Sequence, residues 1–390
     1  MNNIDFAALV ENKRLTQKPA KSKSINIRKE DMWPSHKKVQ KEAKPIVPLA
    51  KHIYNNPERS RTDWDGQRYI VYLCHKNITC AGWGDRQHGI FSAYLLSLVT
   101  NRTFKVEMDS PCPLWKLYHP RILNWKLNET ELHGLTSTHV YALNNRTFRE
   151  SMKVIDFNDE YPQDVVYLTT NYDYFYTLKV NPHYHNIFRK SVRGRPRPIL
   201  FADLWQTIFK FNKRVIRKYT KALNKVKKHK LVCAHIRFGR NPTIPADIEV
   251  RNTLSTIKPL WKFLDKYNNR NRYRIFVASD WQGFRDKVFN MYSNVTIDID
   301  GDIIHIDKMT SSKKKNETDE NLADPCSGFE KVIADQHVLS KCDILLLTYS
   351  VFGKAAAYLR RSNHDLYLME NGTIKSLQLY DDSKVQQRMH

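Results

Sequence analysis

Apolar positions first become dense at Tyr69-Ile70-Val71-Tyr72-Leu73, a run that reads as a buried strand. A turn at Gly82-Trp83-Gly84 follows. Beyond it Ile90, Phe91, Tyr94, Leu95 and Leu98 fall at helical spacing, and Phe104-Lys105-Val106 reads as a second strand. Strand, glycine turn, helix and strand in that order open a parallel α/β sheet. Residues 110–200 are rich in Tyr, Asn and His with mixed periodicity, and no element is assigned there. From Leu204 the stripe Leu204, Ile208, Phe211, Val215, Tyr219, Ala222 and Val226, at steps of three and four, predicts one long helix. Alternating units come next. Strands are expected at Leu231 to Ile236, Tyr273 to Ala278, Val295 to Ile299, Asp343 to Thr348 and Asp365 to Met369. Helices are expected at Asn252 to Tyr267, Trp281 to Tyr292, Gly328 to Ser340 and Phe352 to Arg360. The polar stretch Met309 to Pro325, with its lysine run, is expected to be a mobile inserted loop.

The expected fold is therefore α/β, with two Rossmann-like, doubly wound domains facing a cleft. A first domain over 67–200 and a second over 201–385 would join near Ser191 to Pro198. Residues 1–50 carry 11 Lys/Arg against 5 Asp/Glu with scattered prolines, so 1–66 reads as a flexible basic arm or stem. A nucleic-acid-binding tail would have a similar composition.

The 390 residues carry a net charge of +24 and are 41% hydrophobic, enough apolar content for a sizeable core, which excludes wholesale disorder. The longest apolar run, Ile90 to Val99, is far short of the roughly 20 residues that span a bilayer, which excludes a channel or transporter. The charge is compatible with nucleic acid, an anionic membrane, a nucleotide-sugar donor or a solvated basic surface. Ten Lys/Arg and no acid lie between Thr207 and Lys230, either a solvated face or one that attracts an acidic membrane or polymer. No nucleic-acid module is present, and no nucleic-acid partner is expected. Seven glycosylation sequons (Asn77, Asn101, Asn128, Asn145, Asn294, Asn316 and Asn371) favour the secretory pathway. Met1 to Lys29 lacks the apolar core of a signal or anchor, so a truncated secretory-pathway chain and a soluble intracellular one both stay open, with membrane attachment only through a missing anchor. In the secretory case Cys74–Cys80 and Cys326–Cys342 are candidate bridges, with Cys233 buried and free.

In open parallel sheets, ligands sit at the carboxyl ends of strands. Three such ends carry suggestive groups. His235-Ile236-Arg237-Phe238-Gly239 places a forked, permanently charged donor at the mouth of a strand, with Gly239 allowing close backbone approach, which suits a pyrophosphate. Ala278-Ser279-Asp280 offers a carboxylate to a nucleobase or ribose. Thr348-Tyr349-Ser350-Val351-Phe352-Gly353 opens a helix with a hydroxyl and free N–H groups. Each has a structural alternative: an ion pair for Arg237, a helix cap for Asp280 and Ser350. Asp298, Asp300 and Asp302 spell an Asp-x-Asp pattern that equally suits a strand end and turn, and no metal site is assigned.

The Arg237 strand, the Ser279-Asp280 strand end and the block from Phe329 to Leu359 resemble successive motifs of the fucosyltransferase superfamily. That group spans the α1,2-, α1,6- and protein O-fucosyltransferases and the bacterial nodulation enzymes. The block Glu330 to Asp335, Leu339 to Asp343 and Ser350-Val351-Phe352-Gly353 is most similar to the plant cell-wall α1,2-enzymes, and Gly82-Trp83-Gly84-Asp85-Arg86 resembles that group's glycine turn. The resemblance implies a GT-B architecture, GDP-fucose held by the C-terminal domain without metal or other cofactor, and inverting transfer of fucose to a glycan or glycoprotein hydroxyl in the Golgi. Arg237 would bind the β-phosphate and stabilise the leaving GDP, His235 and Asp280 would lie near guanine or ribose, and Ser350, Phe352 and Gly353 would cradle the pyrophosphate. Gly84 and Arg86 would face the acceptor. Asp85 stands where the family has asparagine; it is either a general base toward the acceptor or a helix cap. A catalytically inactive nucleotide-sugar- or glycan-binding protein of the same fold is the alternative.

Overall fold

The computed structural model describes residues 67–307 and 325–380. The basic arm expected over 1–66 and the Met309 to Pro325 loop up to Pro325 itself lie outside the described residues. In chain order the strands are β1 (Tyr69–Cys74), β2 (Thr103–Met108), β3 (Tyr118–Pro120), β4 (Ser137–Ala142), β5 (Val165–Thr170), β6 (Phe209–Phe211), β7 (Lys230–Ile236), β8 (Tyr273–Ser279), β9 (Ile344–Thr348), β10 (Leu366–Glu370) and β11 (Thr373–Ser376). The helices are α1 (Trp83–Thr100), α2 (Arg146–Ser151), α3 (Phe157–Glu160), α4 (Phe175–Val180), α5 (His185–Val192), α6 (Arg197–Ile208), α7 (Lys213–Leu223), α8 (Lys258–Asp265), α9 (Gln282–Met291), α10 (Pro325–Leu339) and α11 (Val351–Arg360).

Two parallel sheets result. The first runs β2-β1-β5-β4, all parallel. The second runs β11-β10-β9-β7-β8, parallel except for β11 at the edge. Strand alternation divides the work within β7. Val232, Ala234 and Ile236 join Leu260 and Leu264 of α8 and Phe284 and Val288 of α9 in the core on one face. His235, of the opposite parity, lies against Gly353 of α11 on the other. A parallel sheet buried on both faces is what its continuous apolar strands require.

Four sequence expectations change in detail. The long helix from Leu204 breaks into α6, β6 and α7. Phe209 and Phe211 point inward from β6 and pack on Tyr118 of β3, with Phe209 also on Trp125. Asn212 then starts α7 by accepting from the N–H groups of Arg214 and Val215. The stripe at steps of three and four was shared by two helices and a strand, which periodicity cannot distinguish. The helix expected from Asn252 begins only at Lys258, because Asn252 donates to the Arg237 carbonyl and Thr253, Ser255 and Thr256 hydrogen-bond among themselves. Val295 to Ile299 contributes a single bridge to β8 in place of a strand.

The fourth change concerns cysteines. Cys74–Cys80 pairs as expected, but Cys326 bonds Cys112 and Cys342 bonds Cys233. Cys326 and Cys342 lie at opposite ends of α10, and a 15-residue helix at about 1.5 Å per residue holds them far beyond bonding reach. Cys233, buried in β7, faces the residue that leads into the adjacent β9.

Candidate active site

The chain leaves β7 through Arg237, Phe238 and Gly239. Asp280, just past β8, accepts hydrogen bonds from the N–H groups of Phe238 and Gly239, both at 2.8 Å, and pairs with one end of the Arg237 guanidinium. Asp247 pairs with the other end. Two carboxylates therefore hold the fork, while the Arg237 N–H donates to Thr348 Oγ1 at 2.8 Å. Asp247 reaches this position because the loop after β7 folds back. Arg240 N–H donates to Glu249 O and Arg251 N–H to Phe238 O. Gly239 sits at φ +80°, and a Cβ there would lie 1.8 Å from the Glu249 carbonyl oxygen. Its missing side chain makes room for the returning chain, and Gly239 is not a lining residue of the cavity that Arg237 enters.

That cavity, about 390 Å³, opens at the carboxyl ends of β7, β8 and β9 and is closed on the other side by the turn into α1. Asp85, Gly84, His235, Arg237, Asp280, Ser350 and Phe352 all line it. Gly353 lies one residue deeper, where a Cβ would come 2.8 Å from His235 Nδ1. Burial pushes the His235 imidazole down to about 3, so it is neutral; its ring lies 5.1 Å from that of Phe352. Ser350 caps α11 in extended backbone without a hydrogen bond from its side chain to the helix, leaving that hydroxyl on the cavity wall.

The starts of α1 and α11 meet here. A Cβ on Gly84 would lie 2.4 Å from the Phe352 backbone nitrogen, so only glycine allows the contact. Gln336 of α10 ties the junction, accepting from Trp83 Nε1 at 3.1 Å and Gln87 Nε2 at 2.9 Å. Two helix N-termini thus present their positive ends to the wall that holds Arg237, which favours an anion between them.

Asp85 occupies the first turn of α1. Its carboxylate lies against the Gly82 N–H that precedes the helix, and burial, opposed by that N–H and reinforced by the Asp307 carboxylate, pushes its pKa up to about 6. Arg86, in contrast, is 1% exposed and does not line the cavity. It donates to the carbonyls of Ala81 and Ser110 and pairs with Asp307 at 3.7 Å. It holds the turn that carries Gly82 to Asp85.

Several lining residues lay outside the sequence reading. Asp247, Glu249 and Arg251 come from the returning loop, and Asp307 from the segment after β8 and α9. Lys331 donates to the Ile299 carbonyl at 2.6 Å and Asp335 Oδ1 at 3.3 Å, and burial lowers its pKa to about 8. The i,i+4 spacing of Lys331 and Asp335 on a predicted helix was a usable signal. The Asp-x-Asp carboxylates diverge: Asp298 pairs with Arg285, Asp300 with Lys221, and Asp302 lines the cavity. Among the described residues no group of three or more His, Cys, Asp or Glu is placed to hold a metal ion.

Two parallel sheets, with a cavity at the strand ends of the second, make a Rossmann-like α/β fold. The fold is similar to that of a mutant of FUT1 from Arabidopsis thaliana in complex with GDP, at 15% identity and a TM-score of 0.54, covering 84% of this chain and 79% of that one. NodZ alpha-1,6-fucosyltransferase, soaked with GDP-fucose and known from Bradyrhizobium, matches at 11% identity and a TM-score of 0.49, with 80% and 99% covered. POFUT1 in complex with GDP matches at 11% and 0.41, with 78% and 99% covered. No family model and no curated protein matches the sequence. The parallel α/β fold expected from the sequence is thus shared with the FUT1 structure.

Proposed function

We propose that the protein is a GDP-fucose-dependent fucosyltransferase of GT-B architecture that transfers fucose with inversion to a hydroxyl of a glycan or glycoprotein. The observation that carries this reading is the placement of Arg237 opposite two helix N-termini in one cavity. A departing nucleoside diphosphate develops negative charge, and fixed donors that are already oriented lower that barrier most. Arg237 supplies the guanidinium, α11 its N–H groups and Ser350 its hydroxyl. The donor diphosphate would displace Asp247 from one end of the fork while Asp280 keeps the other. Asp85, ionised above about pH 6, would take the proton from the acceptor hydroxyl as that oxygen attacks the fucose anomeric carbon and the bond to GDP breaks. No step in this scheme requires a metal.

Three disulfides with no free cysteine suit an oxidising compartment, and the six described sequon asparagines are all exposed. Both support a secretory-pathway lumen, with the Golgi as the proposed site. No helix among the described residues is long and apolar enough to cross a membrane.

Thermal stability titrated with GDP, GDP-fucose and UDP-sugars tests the donor. Stabilisation by GDP and GDP-fucose that vanishes in Arg237→Ala is expected, whereas a response to UDP-sugars alone would refute the fucose assignment. Release of GDP from GDP-fucose in the presence of an acceptor separates an enzyme from a binding protein of the same fold.

A further inference from the structure

Away from the cavity, the two-stranded antiparallel ribbon of β3 and β6 turns one face inward and one outward. Tyr118, Phe209 and Phe211 fill the inner face. His119 and Lys210, directly opposite each other, form the outer one and are exposed. Beside them Trp115 is 50% exposed, with Lys116 Nζ 5.7 Å and Lys126 Nζ 5.5 Å from its ring centre. Lys213, exposed, opens α7 three residues after Lys210. Burial, then the charges of Lys126 and Lys210, hold the His119 pKa below its usual value.

The lysines of this patch differ from other basic residues of the same region. Arg214 and Lys218 pair with Glu330, and Lys221 with Asp300. None of Lys116, Lys126, Lys210 and Lys213 has a carboxylate partner among the described residues; the neighbouring Glu131 is taken by Lys105 at 2.7 Å. Like charges gathered without acids repel one another, and the potential they build attracts a polyanion. A half-exposed indole in their midst adds a flat stacking surface.

We propose that this face, centred on Trp115, binds an acidic polysaccharide. Anionic groups along the chain would meet the ammonium groups of Lys116, Lys126, Lys210 and Lys213 while one sugar ring lies on the indole. Three disulfides decide between polyanions. They belong to an oxidising compartment, away from nucleic acid and from the cytoplasmic leaflet where anionic lipids concentrate. One indole is also a small apolar area for insertion into a bilayer.

The test measures binding of the full chain to heparin and to polygalacturonate, as sulfate- and carboxylate-bearing probes. The combined variant Lys116→Glu, Lys126→Glu, Lys210→Glu is compared with Lys258→Glu, Lys262→Glu, Lys266→Glu on α8 and its C-cap, which lowers net charge equally. The first variant is expected to lose at least about tenfold in affinity and the α8 variant under about threefold, with Trp115→Ala losing about fivefold at unchanged charge. An unaltered thermal response to GDP certifies that each variant is folded. Equal losses in the two charge variants would overturn the proposal in favour of net charge alone. Binding to phosphatidylserine vesicles without binding to either polysaccharide would overturn it in favour of a membrane.

Discussion

Asp85 stands where both roles that the sequence left as alternatives, helix cap and cavity-facing carboxylate, are geometrically open to it. Its carboxylate reaches back to the Gly82 N–H, as a helix-capping acid does, and the same group lines the cavity. Its pKa, raised from 3.8 to about 6 chiefly by burial, means the native state holds this proton more tightly than the unfolded chain. Ionisation therefore weakens the fold: the penalty is fully present above about pH 6 and relieved as pH falls toward 3.8. Asp85→Asn is expected to stabilise the protein at pH 7 by up to about 3 kcal/mol while lowering kcat by about 10²- to 10⁴-fold at unchanged donor affinity. Transfer by the wild type should fall as pH drops through about 6. Denaturant unfolding with a pH–rate profile checks both signs, and full activity in the asparagine variant would remove the base. Asp280 presents the converse case. Its removal strands two backbone N–H groups and one end of Arg237, so Asp280→Ala should cost about 2–3 kcal/mol, toward the lower end because Arg237 is 18% exposed. Urea midpoints measure this.

At the scale of elements, the site is where α1, α10 and α11 converge. Gly84 permits the contact of two helix starts, and Gly84→Ala drives a Cβ into the Phe352 backbone, which has no rotamer to escape through. A loss of about 1–3 kcal/mol in stability is expected, together with about tenfold weaker GDP binding, since the anion-facing helix ends are pushed apart. Thermal unfolding with and without GDP reads both, and a variant as stable as the wild type would show that α11 can shift freely. Strands with continuous apolar runs, such as Ile344–Thr348, were legible in the sequence because both of their faces are buried. The region 110–200 was not. Its strands β4 and β5 alternate with short helices of four to eight residues, too brief to register a helical period. The β3–β6 pairing joins residues about 90 positions apart, so its strand character has no local signature.

For the whole molecule, Cys112–Cys326 spans 214 residues and links the segment after β2 to the start of α10. Replacing both cysteines by serine should cost about 2–4 kcal/mol, read as a lower urea midpoint that reductant no longer affects at this bond. An unchanged midpoint would show that aromatic packing alone, such as Trp83 against Phe329 at 5.0 Å, holds the two sheets together. The sequence by itself determined the α/β class, the strand ends carrying Arg237, Asp280 and Ser350, and the excess of positive charge. These depend on neighbours in the chain: apolar runs that must be buried and polar residues at their ends. Only the tertiary structure decided that Asp247 shares Arg237 with Asp280, that Arg86 braces a turn, that Cys326 bonds Cys112, and that Lys116 and Lys126 both stand by the Trp115 ring. Each is a contact between segments distant in sequence or folded back on themselves, fixed by packing and electrostatics that no local pattern encodes.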